Sequence, residues 1–329
     1  MRIVMMGTGT FAEPTFEALL AAKENVVGLV TQPDRDPGRR SGATRQTGKG
    51  MATIAESHGI PVANPESINT PDGLAALRAF APDILVIAAY GQILSPEVLA
   101  IPKVASINVH ASLLPKYRGA SPVAHAILNG DAKTGVTILR VIPGLDAGEM
   151  LAKEAVEITQ DETTGELEAR LAILGAKQNL DVVRRLQLGP VHGEPQDPSQ
   201  VTRAPKFKKA HGLIDWAKPA GVIIRHVRAM QPWPTAFTFF HSPGKEPVRV
   251  LVTKVRKFGL LSGVVPDRGW VGSLDDLGPG RLLVQVYDGT SVIEVLELQP
   301  AGKKKMMAAE FLRGHPVEAG CRFGPEVLV

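Results

Sequence analysis

The stretch from Ser106 to Gly119, SINVHASLLPKYRG, constrains the fold of this chain more than any other. It begins as a short strand whose alternation places Asn108 and His110 on one face and the apolar residues on the other. The loop that follows leaves the sheet at once, which predicts both polar side chains at its carboxyl edge. Open α/β sheets bind their ligands at that edge. The pattern predicts a functional site here, although an Asn-x-His pair alone is more often an ordinary strand end.

A second segment, VIPGLDAGEM from Val141 to Met150, adds a carboxylate. The β-branched run before it breaks at Pro143 and resumes at Leu151, so Asp146 is predicted at the tip of a loop between two extended segments. A loop from a neighbouring strand can bring this carboxylate beside His110, where it would orient the imidazole. Asn108, His110 and Asp146 would then supply an amide donor, a titratable base and an orienting acid.

These motifs, together with Thr134-Gly135-Val136-Thr137 and Gly144-Leu145-Asp146-Ala147-Gly148, resemble the formyl-tetrahydrofolate-dependent formyltransferases. The resemblance runs from residue 1 to the basic tail near Lys305 and is strongest to the members that act on methionyl-tRNA. It implies formyl transfer from 10-formyltetrahydrofolate to the α-amine of initiator methionyl-tRNA. It also implies that Asn108 stabilises an oxyanion, that His110 moves the proton as a base or as a charged electrophile, and that Asp146 fixes His110.

The resemblance further implies that two segments hold the folate co-substrate. They are the loop after the Asn-x-His strand, Ser112, Leu113, Leu114 and Pro115, and the turn after an apolar strand, Tyr90, Gly91, Gln92, Ile93 and Leu94.

The order of elements predicts the fold class α/β. We expect a Rossmann-like, mostly parallel sheet with helices on both faces, followed by a small OB-like β-barrel. The corresponding domains are a catalytic domain at 1–186, a linker at 187–205 and a tRNA-binding domain at 206–329. The linker is predicted because residues 187–205 hold four prolines and two glycines. The barrel is predicted from several short strands and from the hairpin signal Asp288-Gly289.

Charge is unevenly distributed along the chain. Residues 200–329 hold 19 lysines and arginines against 11 acidic residues, whereas residues 1–199 hold 18 against 22. A basic last third is typical of a domain that binds a polyanion, or only of a well-solvated surface. The predicted tRNA-binding cations lie in that third and in the Gly-rich segment 33–50, namely Arg35, Arg39, Arg40, Arg45, Lys49, Lys303, Lys304 and Lys305.

One rival interpretation is a nicotinamide-dependent oxidoreductase. The sequence Gly7-x-Gly9-x-x-Ala12 after the first strand satisfies the dinucleotide fingerprint. We discount it because Gln32-Pro33 stands where an acidic residue should bind the ribose. In the same stretch, Thr10 and Glu13 predict a capping box at the start of the first helix.

Two further functions stay open on the sequence alone. One is that of a formyltransferase acting on a small amine such as a purine precursor or an amino sugar, and the other is that of a non-enzymatic RNA-binding protein.

The single cysteine, Cys321, excludes an internal disulfide, and the eight histidines show no spacing typical of metal ligands. No apolar run is long enough to span a membrane. We therefore expect a metal-free, cytoplasmic protein. We also expect it to be an enzyme and a monomer.

Overall fold

The structure is a computed structural model that describes residues 1–33, 48–260, 271–272, 280–286 and 291–327. These residues form two compact units. The first consists of Met1–Ala126, Asp131–Gln160 and Gly165–Lys206. The second consists of Ile127–Gly130, Asp161–Thr164 and the chain from Phe207 onward.

The first unit is built on a seven-stranded sheet. Its strands are β1 (Ile3–Gly7), β2 (Val26–Val30), β3 (Val62–Ala63), β4 (Ile84–Ala88), β5 (Ala105–His110), β6 (Lys133–Arg140) and β7 (Met150–Glu157). They lie in the order β3-β2-β1-β4-β5-β6-β7. Neighbours from β3 to β5 are parallel, whereas β6 is antiparallel to both β5 and β7. The predicted mostly parallel α/β sheet is confirmed.

Among the described residues, six α-helices accompany this sheet. Their bounds are α1 (Glu13–Ala21), α2 (Met51–Ser57), α3 (Pro71–Ala79), α4 (Pro96–Leu99), α5 (Pro122–Asn129) and α6 (Thr164–Leu188). The longest, α6, buries Leu167, Leu171 and Val182 at helical spacing, as the sequence pattern predicts. Gly175 lets this helix approach β5, because a Cβ there would lie 2.5 Å from Cγ1 of Val109. Val109 therefore faces α6, and Asn108 and His110 lie on the opposite face of β5.

The face of the sheet that carries Asn108 also holds a hydrophobic cluster. Its buried members come from β1, β2 and β4, from the turn after β4, and from three helical or loop positions, namely Val4, Met6, Val30, Leu85, Ile87, Tyr90, Ile68, Leu77 and Val98. Asn108 continues this face because it pairs in register with Ile87 of β4. The cluster therefore packs against the strands that carry the predicted site.

The start of α1 differs from the prediction. Its N-cap is Ala12, whose side chain makes no capping hydrogen bond, so the capping box predicted from Thr10 and Glu13 is wrong. The carboxylate of Glu13 instead accepts hydrogen bonds from the backbone N–H of Lys49 at 3.1 Å and of Gly50 at 3.0 Å. A charged acceptor with two backbone donors elsewhere competes successfully with a local cap.

Where the structure describes it, the second unit contains α7 (Ala220–Ala229), α8 (Ala308–Gly314) and seven strands. These strands are β8 (Phe237–His241), β9 (Val248–Leu260), β10 (Val271–Gly272), β11 (Leu282–Gln285), β12 (Ser291–Pro300), β13 (Met306–Met307) and β14 (Arg322–Gly324). The antiparallel sheet has the order β10-β11-β12-β9-β8-β14, with β13 paired to β12. Its two edge strands approach each other, so the sheet is a nearly closed barrel. The predicted small β-barrel is confirmed, and its OB-like character stays a prediction.

Aromatic side chains form part of the core of this barrel. Trp216 stacks on Phe323 with 5.5 Å between ring centroids, and its indole N–H donates to Thr238 at 3.0 Å. Phe240 packs edge-to-face against Phe311 at 5.3 Å. The pairing of β11 with β12 agrees with the predicted hairpin, whose turn at Asp288-Gly289 lies outside the described residues.

In the part of the chain that the structure describes, no helix is both long and apolar enough to cross a bilayer. The same residues contain no cluster of three or more His, Cys, Asp or Glu side chains arranged to hold a metal ion.

Candidate active site

The last residues of β5 bring Asn108 and His110 to the carboxyl edge of the sheet. Asn108 sits between Ile87 of β4 and Leu139 of β6, its partners in register. Its carboxamide is partly exposed, and it has no hydrogen-bond partner among the described residues. An amide donor that extends from a fixed strand position and has no internal partner is available to a substrate oxygen.

The imidazole of His110 is almost fully buried, with 5% of its surface exposed. Its Nε2 lies 2.9 Å from the backbone carbonyl oxygen of Tyr117. Because a carbonyl only accepts, the hydrogen-bond network assigns a proton to Nε2. Nδ1 is therefore the ring atom that can gain or lose a proton, and it lies 3.7 Å from Oδ2 of Asp146.

Asp146 occupies the loop between β6 and β7 and has a positive φ of 49°. Asp tolerates this left-handed conformation better than most residues, but the conformation persists only where the surroundings hold it. Oδ2 also accepts a 2.8 Å hydrogen bond from the backbone N–H of Gly119. The same carboxylate oxygen thus contacts the loop after β5, through Gly119, and faces the imidazole of His110.

The loop after β5 is locked by one hydroxyl on β6. Thr137 Oγ1 donates to the carbonyl of Ser112 at 2.7 Å and accepts from the N–H of Leu114 at 3.1 Å. Ser112 is fully buried, and its own hydroxyl donates to the carbonyl of Lys116 at 2.7 Å. Ser112 is therefore unable to act as an exposed nucleophile.

Two of the four residues predicted to bind folate in this loop present side chains to the surface. Leu114 packs in a buried cluster with Leu139 and Met150, whereas Leu113 and Pro115 are only partly buried. Contact of these residues with folate stays a prediction. The structure leaves Leu113, Pro115 and the loop backbone as the available surface.

The segment Tyr90–Leu94 divides in the same way. Tyr90 lies in the hydrophobic cluster, where burial raises the pKa of its hydroxyl to about 12. Gln92 is occupied, because its side chain accepts from the N–H of Ile68 and donates to the carbonyl of Glu66, both at 2.9 Å. Leu94 packs against the cluster, whereas Ile93 is 79% exposed. The side chain that this segment offers a ligand is that of Ile93.

The predicted tRNA-binding cations are placed unevenly. Arg35, Arg39, Arg40 and Arg45 lie outside the described residues. Lys49 forms a 2.7 Å ion pair with Glu17, which also raises the pKa of its ammonium group. Lys303 and Lys304 are exposed, and Lys305 forms an ion pair with Glu297.

A segment that the sequence predicts only as part of the linker also contacts the site. We call residues 194–204 the strap. Glu194 exchanges two 2.9 Å backbone hydrogen bonds with Met150. Farther along, the carbonyl of Thr202 accepts from the N–H of Arg118 at 2.9 Å, and the N–H of Ala204 donates to the carbonyl of Arg118 at 2.8 Å. Proline-rich composition predicts a linker here, and these long-range backbone pairings have no local sequence signal.

The arrangement joins an amide donor to a buried imidazole and a partly buried carboxylate. Such a set can stabilise negative charge that develops on a carbonyl oxygen and can move one proton.

Comparison with known proteins identifies relatives along nearly the whole chain. The family profile described as "Formyl transferase" matches residues 1–183, and the profile "Formyl transferase, C-terminal domain" matches residues 206–316. A protein of Geotalea uraniireducens named "Methionyl-tRNA formyltransferase" is 41% identical over 98% of both chains. One of the same name from Methylococcus capsulatus is 40% identical over 98% of this chain and 100% of its own.

Solved structures with the same fold are more distant in sequence. WlaRD, described as a sugar 3N-formyl transferase and crystallised with dTDP and 5-N-formyl-THF, has a TM-score of 0.64 at 16% identity, covering 92% of this chain and 99% of its own. HypX from Aquifex aeolicus in complex with tetrahydrofolic acid has a TM-score of 0.61 at 15% identity, covering 94% of this chain and 46% of its own. At this identity the likeness shows a shared fold.

Proposed function

The chain belongs to the formyl transferase family, and we propose that it transfers the formyl group of 10-formyltetrahydrofolate to the α-amino group of methionyl-initiator tRNA. The observation that carries the proposal is the pair formed by the buried His110 and the partly buried Asp146, whose Nδ1 and Oδ2 lie 3.7 Å apart at the sheet edge that also holds Asn108. The relatives at 40–41% identity over nearly the full chain, all named for this activity, support it.

The residues present fit a folate co-substrate, which supplies the formyl group. A flat ring system needs exposed apolar side chains and open backbone at the carboxyl edge of the sheet. Ile93 supplies such a side chain after β4, and Leu113 and Pro115 supply partly exposed ones after β5. Gly91 has a φ of +82°, and no atom of the described residues lies within 4 Å of the position that a Cβ would take there.

Formylation replaces one N–H bond of the amine by an N–C bond, so one proton must leave the nucleophile and one must reach the departing nitrogen. Nδ1 of His110 carries out this exchange, because its Nε2–H is engaged by the carbonyl of Tyr117. Asp146 stabilises the imidazolium that exists while Nδ1 holds the proton. Burial of the imidazole keeps bulk water away from most of its surface.

Asn108 donates a hydrogen bond to the formyl oxygen as negative charge develops there. Oxyanion donors of this kind contribute about 3–4 kcal/mol to the stabilisation of a transition state. The register of β5 between β4 and β6 fixes the backbone of Asn108 before the reaction, so only the side-chain torsions remain to be set when the substrate binds.

The tRNA body is held by the basic second unit. Exposed Lys303 and Lys304 contribute to a surface that attracts phosphates without reading sequence. Lys305 and Lys49 already have acidic partners, so their contribution is smaller.

The deciding experiment presents the enzyme and 10-formyltetrahydrofolate with methionyl-initiator tRNA, free methionine or a dTDP-linked amino sugar. Formylated product is quantified by mass spectrometry, with Asp146→Asn as the inactive control. We expect formylmethionine from the charged tRNA alone. Formylation of the sugar and none of the tRNA would establish the small-amine function instead.

A further inference from the structure

The side chain of Gln196, in the strap, lies between the two loops that form the site. Its Oε1 accepts two hydrogen bonds from the guanidinium of Arg118, from Nε at 3.0 Å and from Nη2 at 2.7 Å. Its Nε2 donates to the backbone carbonyls of Asp146 and Gly148, both at 2.8 Å. Every polar valence of this carboxamide is used.

The orientation of the amide follows from its partners. A guanidinium only donates and a carbonyl only accepts, so the oxygen must face Arg118 and the nitrogen must face the Asp146 loop. The reversed amide would oppose donor to donor and acceptor to acceptor. Gln196 therefore connects the loop after β5 to the loop after β6 in one defined arrangement.

The Asp146 loop depends on such hydrogen bonds because apolar packing does not fix its tip. Ile142 and Leu145 are exposed, and Asp146 itself has a left-handed backbone conformation. On the other side of Gln196, Arg118 is immobilised by its backbone pairing with Thr202 and Ala204. The Gln196 amide thus links the Asp146 loop, which has no apolar core of its own, to Arg118, whose backbone is held in place.

We propose that Gln196 is a positioning residue for catalysis, which holds Oδ2 of Asp146 against Nδ1 of His110 by clamping the backbone of residues 146–148 to Arg118. Its effect on turnover rests on the function proposed above. Its effect on the geometry of the loop is independent of that function.

The decisive variant is Gln196→Glu, which keeps the length and shape of the side chain. A carboxylate still accepts from Arg118, and as a charged partner it accepts more strongly. It has no N–H for the carbonyls of Asp146 and Gly148 and repels both oxygens. The matched control is Gln200→Glu in the same strap, because the exposed Gln200 side chain donates to Asp197 at 2.9 Å and lies outside the site.

We expect Gln196→Glu to lower kcat by about 10- to 100-fold, as displacement of a catalytic group by about 1 Å does, with the KM for tRNA and the melting temperature nearly unchanged. Because Gln196 acts through Asp146, the same change in an Asp146→Asn background should lower kcat no further. A general loss of folded structure would instead add to the effect of Asp146→Asn. Gln200→Glu should keep wild-type kcat.

A readout that needs no activity is the backbone amide resonance of Gly119, whose N–H donates to Oδ2 of Asp146. In ¹H–¹⁵N spectra of the full-length protein, Gln196→Glu should move this resonance upfield, and Gln200→Glu should leave it in place. An unmoved Gly119 resonance together with a kcat within about twofold of wild type would overturn the proposal. If the wild-type enzyme formylates no methionyl-tRNA, the proposed function fails, and the Gly119 resonance still decides whether Gln196 positions Asp146.

Discussion

The backbone amide of Gly119 and the carboxylate of Asp146 are joined by a 2.8 Å hydrogen bond, although they lie 27 positions apart in the sequence. The accepting oxygen, Oδ2, is the one that lies 3.7 Å from Nδ1 of His110. Gly119 can occupy this place because its φ is +123° and because a Cβ there would lie 2.8 Å from the carbonyl oxygen of Ala204. A charge-assisted bond from a fixed backbone donor therefore aims the carboxylate before any substrate binds.

Asp146→Asn should separate the charge of this residue from its geometry. The amide oxygen can still accept from Gly119, so the loop should keep its place while the negative charge beside His110 is lost. We expect kcat to fall by at least about 100-fold, the contribution typical of positioned proton transfer, with an unchanged melting temperature. Asp181→Asn, an exposed residue of α6, is the control. Turnover within a few fold of wild type would remove Asp146 from the catalytic set.

Gly148→Ala should destabilise the first unit. A Cβ at this position would lie 1.8 Å from the backbone oxygen of Arg140, which cannot move without breaking the start of the β6–β7 hairpin. Forced overpacking of this kind costs about 1–3 kcal/mol or more in the free energy of unfolding. Gly221→Ala in α7 is the contrasting variant, since the nearest atom there is 3.5 Å away at the end of Arg225. Urea denaturation measures both, and equal stabilities would contradict the predicted clash.

Glu168 should make stability depend on pH. Burial raises the pKa of this carboxyl on α6 to about 7 from an ordinary value of 4.5. The folded chain therefore holds a proton that the unfolded chain releases, so this contribution to stability is complete below pH 4.5 and is lost as the pH rises through 7. The loss amounts to at most about 3 kcal/mol. Glu168→Gln should remove it.

The measurement for Glu168 is the free energy of unfolding in urea between pH 4.5 and 8. Glu168→Gln should match wild type at the acidic end and exceed it at the alkaline end. The exposed Glu56 of α2 provides the control, and Glu56→Gln should follow the wild-type curve. Parallel curves for wild type and Glu168→Gln would show that burial leaves this carboxyl unperturbed.

Removing the charges of Lys303 and Lys304 together should weaken the binding of all tRNAs alike. Both side chains are exposed, so their removal takes away two positive charges from the proposed tRNA-binding surface without disturbing the fold. The slope of log K against log salt should flatten by up to about 0.9 for each duplex phosphate that is no longer neutralised. The exposed Lys177 of α6 provides the control as Lys177→Ala, and discrimination between charged and uncharged tRNA should stay the same. Lys305 is left intact because it pairs with Glu297.

Deleting Arg39 to Arg45 should affect discrimination rather than general affinity. The segment follows β2, whose carboxyl end lies at the same edge of the sheet as Asn108 and His110. Cations there would meet the aminoacyl end of the tRNA beside the reacting group. We expect initiator methionyl-tRNA to lose its advantage over elongator methionyl-tRNA, measured as the ratio of their kcat/KM values. Unchanged formylation of both substrates would assign the segment no role in recognition.

The centre of the site is predictable from sequence because it depends on a short-range rule. Strand alternation and the exit of β5 place Asn108 and His110 together, and a Gly-bounded loop on the next strand can only return near them. The orientation of the side chains around this centre depends instead on contacts with residues that are distant in the sequence. The ring of Tyr90 packs in the hydrophobic cluster, and the amide of Gln92 forms hydrogen bonds with the backbone of Glu66 and Ile68. Neither side chain therefore faces a ligand, as a residue that lines a pocket would.

The strap marks the limit of the same reasoning. Its prolines predict only a linker when the sequence is considered alone, whereas its backbone groups form hydrogen bonds with Arg118 and Met150, far away in sequence. Neither periodicity nor a motif distinguishes Gln196 from Gln200 in this segment. Only the folded arrangement reveals that Gln196 touches both loops.

The strap also defines how short a working fragment of this enzyme can be. A polypeptide that ends at residue 186, where the compositional boundary of the first domain falls, would contain all seven strands of its sheet and Asn108, His110 and Asp146. It would lack Gln196, Thr202 and Ala204, which fasten the loops that carry the chemistry. Such a fragment should fold into a recognisable sheet with a loosened centre, and the smallest fragment with an assembled centre should extend past Ala204.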